Sequence, residues 1–196
     1  SDWVKMYAIS IQNACVSIHG DIWKQREKIY NETMRKYSKE EIKEFCRMSG
    51  LLVSCFEKNG IKDYLGDIYM KSGAGSKITG QFFTPFHISV LNATTLLSNV
   101  SKEEKIRLNE PSAGGGGMIL AAAKVLEDKG INYQKCLDVT AQDLDWNGVY
   151  MTYIQLSLLG IDAEVIQGNT LSQEVIQKKV SKENILFTPA RMVVFI

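Results

Sequence analysis

The chain has 196 residues and is short of several residue types, and each shortage closes off a class of chemistry. Two histidines, His19 and His87, leave a histidine-built metal site little to work with, and no metal is expected. The four cysteines, Cys15, Cys46, Cys55 and Cys136, show no metal-like spacing. Three of them fall on apolar helical faces, which predicts buried free thiols in a reducing compartment rather than a disulfide framework. No apolar run approaches the ~20 residues of a membrane-spanning helix, and no secretory signal pattern opens the chain, so a cytoplasmic protein without a membrane partner is expected. Charge of neither sign is in excess: 23 basic residues against 22 acidic ones leave a net +1. A domain that grips DNA unaided carries a basic surplus, because phosphate contacts dominate that affinity. The local basic clusters, Lys24, Arg26 and Lys28, then Lys178, Lys179 and Lys182, read as solvated helix faces.

What is present suffices for one domain with a real core plus a smaller helical unit, at 45% apolar and 23% charged residues. Trp3, Met6, Tyr7, Ala14 and Ile18 fall at helical spacing, and Gly20 ends that run. A second helix is predicted over 21–37. Ser38 with Glu41 forms a capping box that opens a third, to about Phe56. Asn59-Gly60 breaks it, and Ile61–Lys71 makes a short fourth. Residues 1–71 are thus a helical unit, and the Gly/Ser/Lys-rich stretch 72–80 is the best linker. From 81 to 196 an α/β domain is expected: a helix after Pro85, then strands at 106–109, 137–142, 163–167 and 184–188 alternating with helices at 117–128, 146–159 and 171–180. That order predicts a parallel sheet with helices on both faces and ligand residues at the carboxyl ends of the strands.

The most informative stretch follows the first strand: Glu110-Pro111-Ser112-Ala113-Gly114-Gly115-Gly116-Gly117-Met118. Glycines let a ligand approach the backbone where a Cβ would block it, and the helix start offers unpaired N–H groups. Glu110 would repel a phosphate and welcome an ammonium. The Gly-Lys-Ser/Thr ending of a phosphate loop is absent. The pattern favours a ligand with a positive group, such as S-adenosylmethionine.

This loop resembles the Asp-Pro-Ala-Cys-Gly-Ser-Gly-Gly-Met loop of adenine-specific DNA methyltransferases, most closely the modification subunit of type I restriction systems. Gly80-Gln81-Phe82-Phe83-Thr84-Pro85 is similar to that family's Gly-Gln-Phe-Tyr-Thr-Pro signature, and Asp63-Tyr64-Leu65-Gly66-Asp67-Ile68-Tyr69 to its Leu-Gly-Asp-Val/Ile-Tyr helix. Gln142-Asp143-Leu144-Asp145 and Gly168-Asn169-Thr170-Leu171 follow in the family's order, so the likeness spans roughly 63–171. All three prolines, Pro85, Pro111 and Pro189, stand at motif positions.

The resemblance implies a Rossmann-like S-adenosylmethionine-dependent methyltransferase fold with strand order 3-2-1-4. The family's sheet has seven strands, and this chain closes on one more apolar run, Met192–Ile196, so a truncated or reduced sheet is expected. The implied cofactor set is Phe82, Thr84, Pro85, Glu110, Ser112, Gly114, Gly116, Asp143, Leu144 and Asn169. Asp143, ending the second strand, would accept hydrogen bonds from the ribose hydroxyls; otherwise it is a cap or surface acid, though Asp145 is the better cap. Leu144 would lie on the adenine, or simply in the core. Asn169 replaces the family's usual Asp and keeps one acceptor oxygen for the adenine amine, or serves the turn alone. Thr84 would offer its hydroxyl to the methionine carboxylate, cap the next helix, or both. Phe82 and Phe83 are ligand contacts or core.

Adenine methylation in the family also needs Asn/Asp-Pro-Pro-aromatic after the fourth strand, to orient the amine and stack the flipped base. Here the matching residues are Thr188-Pro189-Ala190-Arg191. Thr188 and Pro189 are the degenerate catalytic candidates; Arg191 brings a charge where an aromatic is expected. Two functions follow: an adenine-N6 DNA methyltransferase of a restriction-modification type system with a degenerate corner, or an inactive module that binds the cofactor, DNA or a partner. A nucleotide-dependent oxidoreductase fits less well, since Gly-x-Gly-x-x-Gly spacing and its flanking motifs are missing. DNA is the implied partner, through a separate specificity subunit; oligomeric state is open.

Overall fold

A computed structural model describes residues 1–73, 82–102, 104–172 and 180–193. The linker residues 74–80 and most of the helix expected at 171–180 lie outside them. The amino-terminal helices are α1 (Asp2–Ala14), α2 (Asp21–Met34), α3 (Lys39–Asn59) and α4 (Tyr64–Lys71). Ser38 and Glu41 form the expected capping box, with Glu41 N–H donating to Ser38 Oγ at 3.2 Å and Ser38 N–H to Glu41 Oε2 at 2.7 Å. Then come α5 (Phe86–Leu96), β1 (Ile106–Glu110), α6 (Gly117–Asp128), the four-residue α7 (Tyr133–Cys136), β2 (Leu137–Asp143), α8 (Trp146–Leu158), β3 (Asp162–Gln167), a 3-10 turn at Lys182–Asn184, β4 (Ile185–Phe187) and α9 (Pro189–Val193). Helices and a four-stranded, mostly parallel sheet make this an α/β, Rossmann-like methyltransferase fold.

The strand order departs from the expected 3-2-1-4: it is β1-β2-β3-β4, and β4 runs antiparallel on β3. The physical reason lies in the partners of β4. Glu164 pairs with Phe187 and Ile166 with Ile185. Gln12 of α1 accepts from Phe187 N–H at 3.0 Å, and Arg26 of α2 donates to the Ile185 carbonyl at 2.8 Å. Two helical side chains thus satisfy the outer edge of a short strand that would otherwise be open. Arg191 fastens the far end by pairing with Asp138 and Asp162 at the starts of β2 and β3.

α8 is buried along almost its whole length, from Gly148 to Leu156, because the sheet covers one side and α1 and α4 the other. The helical residues share the sheet's core: Val4, Ala8, Leu52, Ile61 and Leu65 belong to the same buried cluster as Ile119, Leu120, Val139, Tyr153 and Val165. The expectation of buried thiols holds for Cys136 alone; Cys15 and Cys46 are exposed and Cys55 is half-buried, since Cys15 lies just past the end of α1 and α3, which bears the other two, keeps one face in solvent.

Candidate functional site

The carboxyl ends of β1, β2 and β3 surround a cavity of about 760 Å³, within the ~300–1,000 Å³ of small-molecule sites. Its floor is the loop 111–117. Ala113 N–H donates to the Gln142 carbonyl at 2.8 Å, which carries the loop across to β2. Gly114 N–H donates to Asp143 Oδ2 at 2.7 Å, and the Thr152 hydroxyl donates to the Gly114 carbonyl at 3.0 Å. Gly114 and Gly116 adopt φ of 56° and 91°, a region that side chains other than glycine's occupy at a cost. The glycines also serve packing: a Cβ on Gly114 would come within 2.9 Å of the Phe83 ring, and one on Gly116 within 3.2 Å of Thr152.

Phe82, Thr84, Ser112, Gly114, Asp143, Leu144 and Asn169 all line this cavity. Asp143 is 8% exposed, and its Oδ1 accepts from Asp145 N–H at 2.9 Å. An ionised carboxylate has about four lone-pair sites, so two remain for a ligand. Asp145, not Asp143, caps α8, through Asn147 N–H at 3.2 Å. Asn169 Oδ1 accepts from Leu171 N–H at 3.0 Å, so the turn role is realised at an exposed position. Phe82, Leu144 and Leu171 give the mouth an apolar rim, being 75%, 66% and 86% exposed. Thr84 forms no cap: α5 starts at Phe86 without a side-chain cap.

Three expected residues are not in the wall. Pro85 occupies the cap position of α5, and Gly116 packs against Thr152. Glu110 Oε1 is turned onto Ser112 N–H at 3.2 Å. Thr188 and Pro189 lie at the other end of the sheet. Because β4 is antiparallel, its end meets the beginning of β3, where the Thr188 hydroxyl donates to the Ile161 carbonyl at 2.7 Å and accepts from Ala163 N–H at 2.9 Å. A six-residue strand, about 17 Å, separates them from the cavity side.

Sequence reasoning missed Asp63 as a cavity residue. It is 4% exposed, caps α4 through Gly66 N–H at 2.8 Å, and faces the glycine loop. Burial pushes its carboxyl above the usual range, against the pull of hydrogen bonds from Gln155 and Gly66. Asp63 and Asp143 are the charged groups of the wall; no Lys, Arg or His stands among its described residues. The signal available in the sequence was Gln155, an amide in the largely apolar run of α8.

A model of N-6 DNA methylases matches residues 61–190, well over half of the chain. The chain belongs to the N-6 DNA methylase family. No individual curated protein is matched. The N-6 DNA methylase match begins before α4, so Asp63 lies inside the family region, as do the glycine loop, Asp143 and Thr188. Among the described residues no helix is long and apolar enough to cross a membrane.

Proposed function

We propose that this N-6 DNA methylase domain binds S-adenosylmethionine in the cavity over Gly114–Gly117. The observation that carries the reading is the charge of the wall: two carboxylates and no described basic residue. Such a wall favours a cationic ligand and disfavours a nucleotide phosphate. When bound, the cofactor supplies an electrophilic methyl group on a sulfonium. Asp143 would accept from the ribose hydroxyls with its free lone pairs, Leu144 would cover the adenine, Asn169 would offer an acceptor to its amine, and Thr84 would meet the methionine end. Titration calorimetry tests this: saturable heat with S-adenosylmethionine is expected, and no heat at millimolar cofactor would sink it.

The finer function we infer is that of an adenine-N6 DNA methyltransferase relative of restriction-modification type, acting on DNA with a separate specificity subunit. A second reading, a cofactor- or partner-binding module without methyl transfer, is favoured for these residues alone by Thr188. Its hydroxyl is committed to Ile161 and Ala163, and Arg191 to Asp138 and Asp162, so neither faces the cavity. Tritiated methyl transfer to unmethylated genomic DNA, with and without a candidate specificity subunit, separates the two.

A further inference from the structure

Gln155 is fully buried in the middle of α8, and all four of its side-chain hydrogen-bonding positions are used. Its Nε2 donates to Asp63 Oδ1 at 2.8 Å and to the Gly115 carbonyl at 2.7 Å. Its Oε1 accepts from Tyr64 N–H at 3.0 Å and Leu65 N–H at 3.2 Å. Two acceptors on one side and two donors on the other admit one orientation of the amide. Gln155 therefore joins the first turn of α4, the Asp63 carboxylate and the glycine loop in one buried network. The Asp63 carboxylate in turn lies against the loop: a Cβ on Gly115 would stand 2.9 Å from it and one on Gly117 3.0 Å. A Cβ on Gly66 would fall 2.1 Å from Asp63 Oδ2, so a side chain there would drive the carboxylate out of place.

We propose that Asp63 and Gln155 are positioning residues that clasp the Gly114–Gly117 loop to α4 and hold it in the shape that receives the cofactor, so that α4 is a working part of the cofactor site. A half-satisfied buried network is worse than none, so removing one member should free the loop and not just weaken α4. The proposal rests on the cofactor reading above, and its test has one arm that needs no cofactor.

Hydrogen exchange on the full chain, followed in a peptide covering residues 112–120, reads the loop directly. Calorimetry with S-adenosylmethionine reads the site. Asp63→Ala should speed loop exchange and weaken cofactor binding by about tenfold or more, the effect of losing a hydrogen bond to a charged group. Asp63→Asn, which keeps the acceptor for Gly66 N–H and Gln155, should restore loop exchange to within about threefold of the parent, while the loss of one wall charge is read separately by calorimetry. Gly66→Ala should act like Asp63→Ala, although Ala in place of Gly favours a helix by about 1 kcal/mol. It serves as the probe if Asp63→Ala does not fold. Ser38→Ala, which removes the cap of α3 at a comparable cost of about 1 kcal/mol, should change neither readout. Loop exchange in Asp63→Ala and Gly66→Ala equal to that of Ser38→Ala would overturn the clasp, as would loop exchange in Asp63→Asn no slower than in Asp63→Ala. A parent protein that gives no heat with S-adenosylmethionine, while loop exchange follows the stated order, would reject the cofactor reading and leave the clasp standing.

Discussion

At the scale of single residues, two buried acids on the same cavity should behave differently. Asp143 already holds Gly114 N–H and Asp145 N–H, so it shapes the loop whether or not a ribose is present. Asp143→Ala should weaken S-adenosylmethionine binding by about 1.5–3 kcal/mol, read by calorimetry. Asp63 should show itself through pH. Burial raises its folded pKa above the ordinary 3.8, so the folded state holds the proton to higher pH than the unfolded chain does. Its contribution to stability is greatest below the unfolded pKa and is lost as pH rises through the folded one. Denaturant unfolding between about pH 4 and pH 7 should therefore show Asp63→Asn gaining on the parent as pH rises, because the amide never ionises. A constant difference would mean that Asp63 titrates as it does in the unfolded chain. Asp2 works in the opposite sense: the hydrogen bond from Lys5 lowers its pKa, and that stabilisation disappears as pH falls below 3.8.

At the scale of elements, the Arg191 pairs decide where β4 rests. Arg191 is mostly buried while Asp138 is about half exposed, which places the cluster between a surface pair and a buried one. Arg191→Ala should cost about 1–3 kcal/mol in chemical unfolding, with the larger share lost from residues 185–193 as judged by hydrogen exchange. No loss would mean that the β3 ladder alone fixes β4. The same elements show what was legible in the sequence. Apolar spacing, Asp145 as cap and the glycine loop located β1, α6, β2, α8 and β3 to within a residue or two, and the Ser38 box located the start of α3, because each of those signals is local. α7 is a single turn after Asn132 and leaves no periodicity to detect. The direction of β4 was not legible either. Three apolar residues read the same in a parallel or an antiparallel strand, and what selects between them, Gln12, Arg26 and Arg191, comes from outside the strand. The cavity wall was legible where a motif carried it, as at Asp143 and Asn169. It was marked only by one amide at Gln155, and was illegible at Asp63, whose partner Gln155 lies 92 residues away in sequence.

At the scale of the whole molecule, the sheet has a binding end and a closing end. Cofactor candidates gather at the carboxyl ends of β1, β2 and β3, while Thr188 and Arg191 tie together the amino ends of β2 and β3. The sequence pattern alone suggests that rebuilding the family's tetrapeptide, with Thr188→Asn, Ala190→Pro and Arg191→Phe, should raise methyl transfer. The geometry argues for the opposite outcome. An asparagine at position 188 would have to replace a fully buried hydroxyl bonded to Ile161 and Ala163, and it would remain a strand's length from the glycine loop. Phenylalanine at 191 would leave Asp138 and Asp162 facing each other without their cation. The triple variant is therefore expected to lose about 2–5 kcal/mol of stability through unpaired buried groups and to transfer no more tritiated methyl to genomic DNA than the parent. Thermal melting and the transfer assay, run on the same preparation, check both halves. A rise in transfer without loss of stability would require residue 188 to sit beside the cavity, and hence β4 to leave β3 and run parallel to β1 when the protein works.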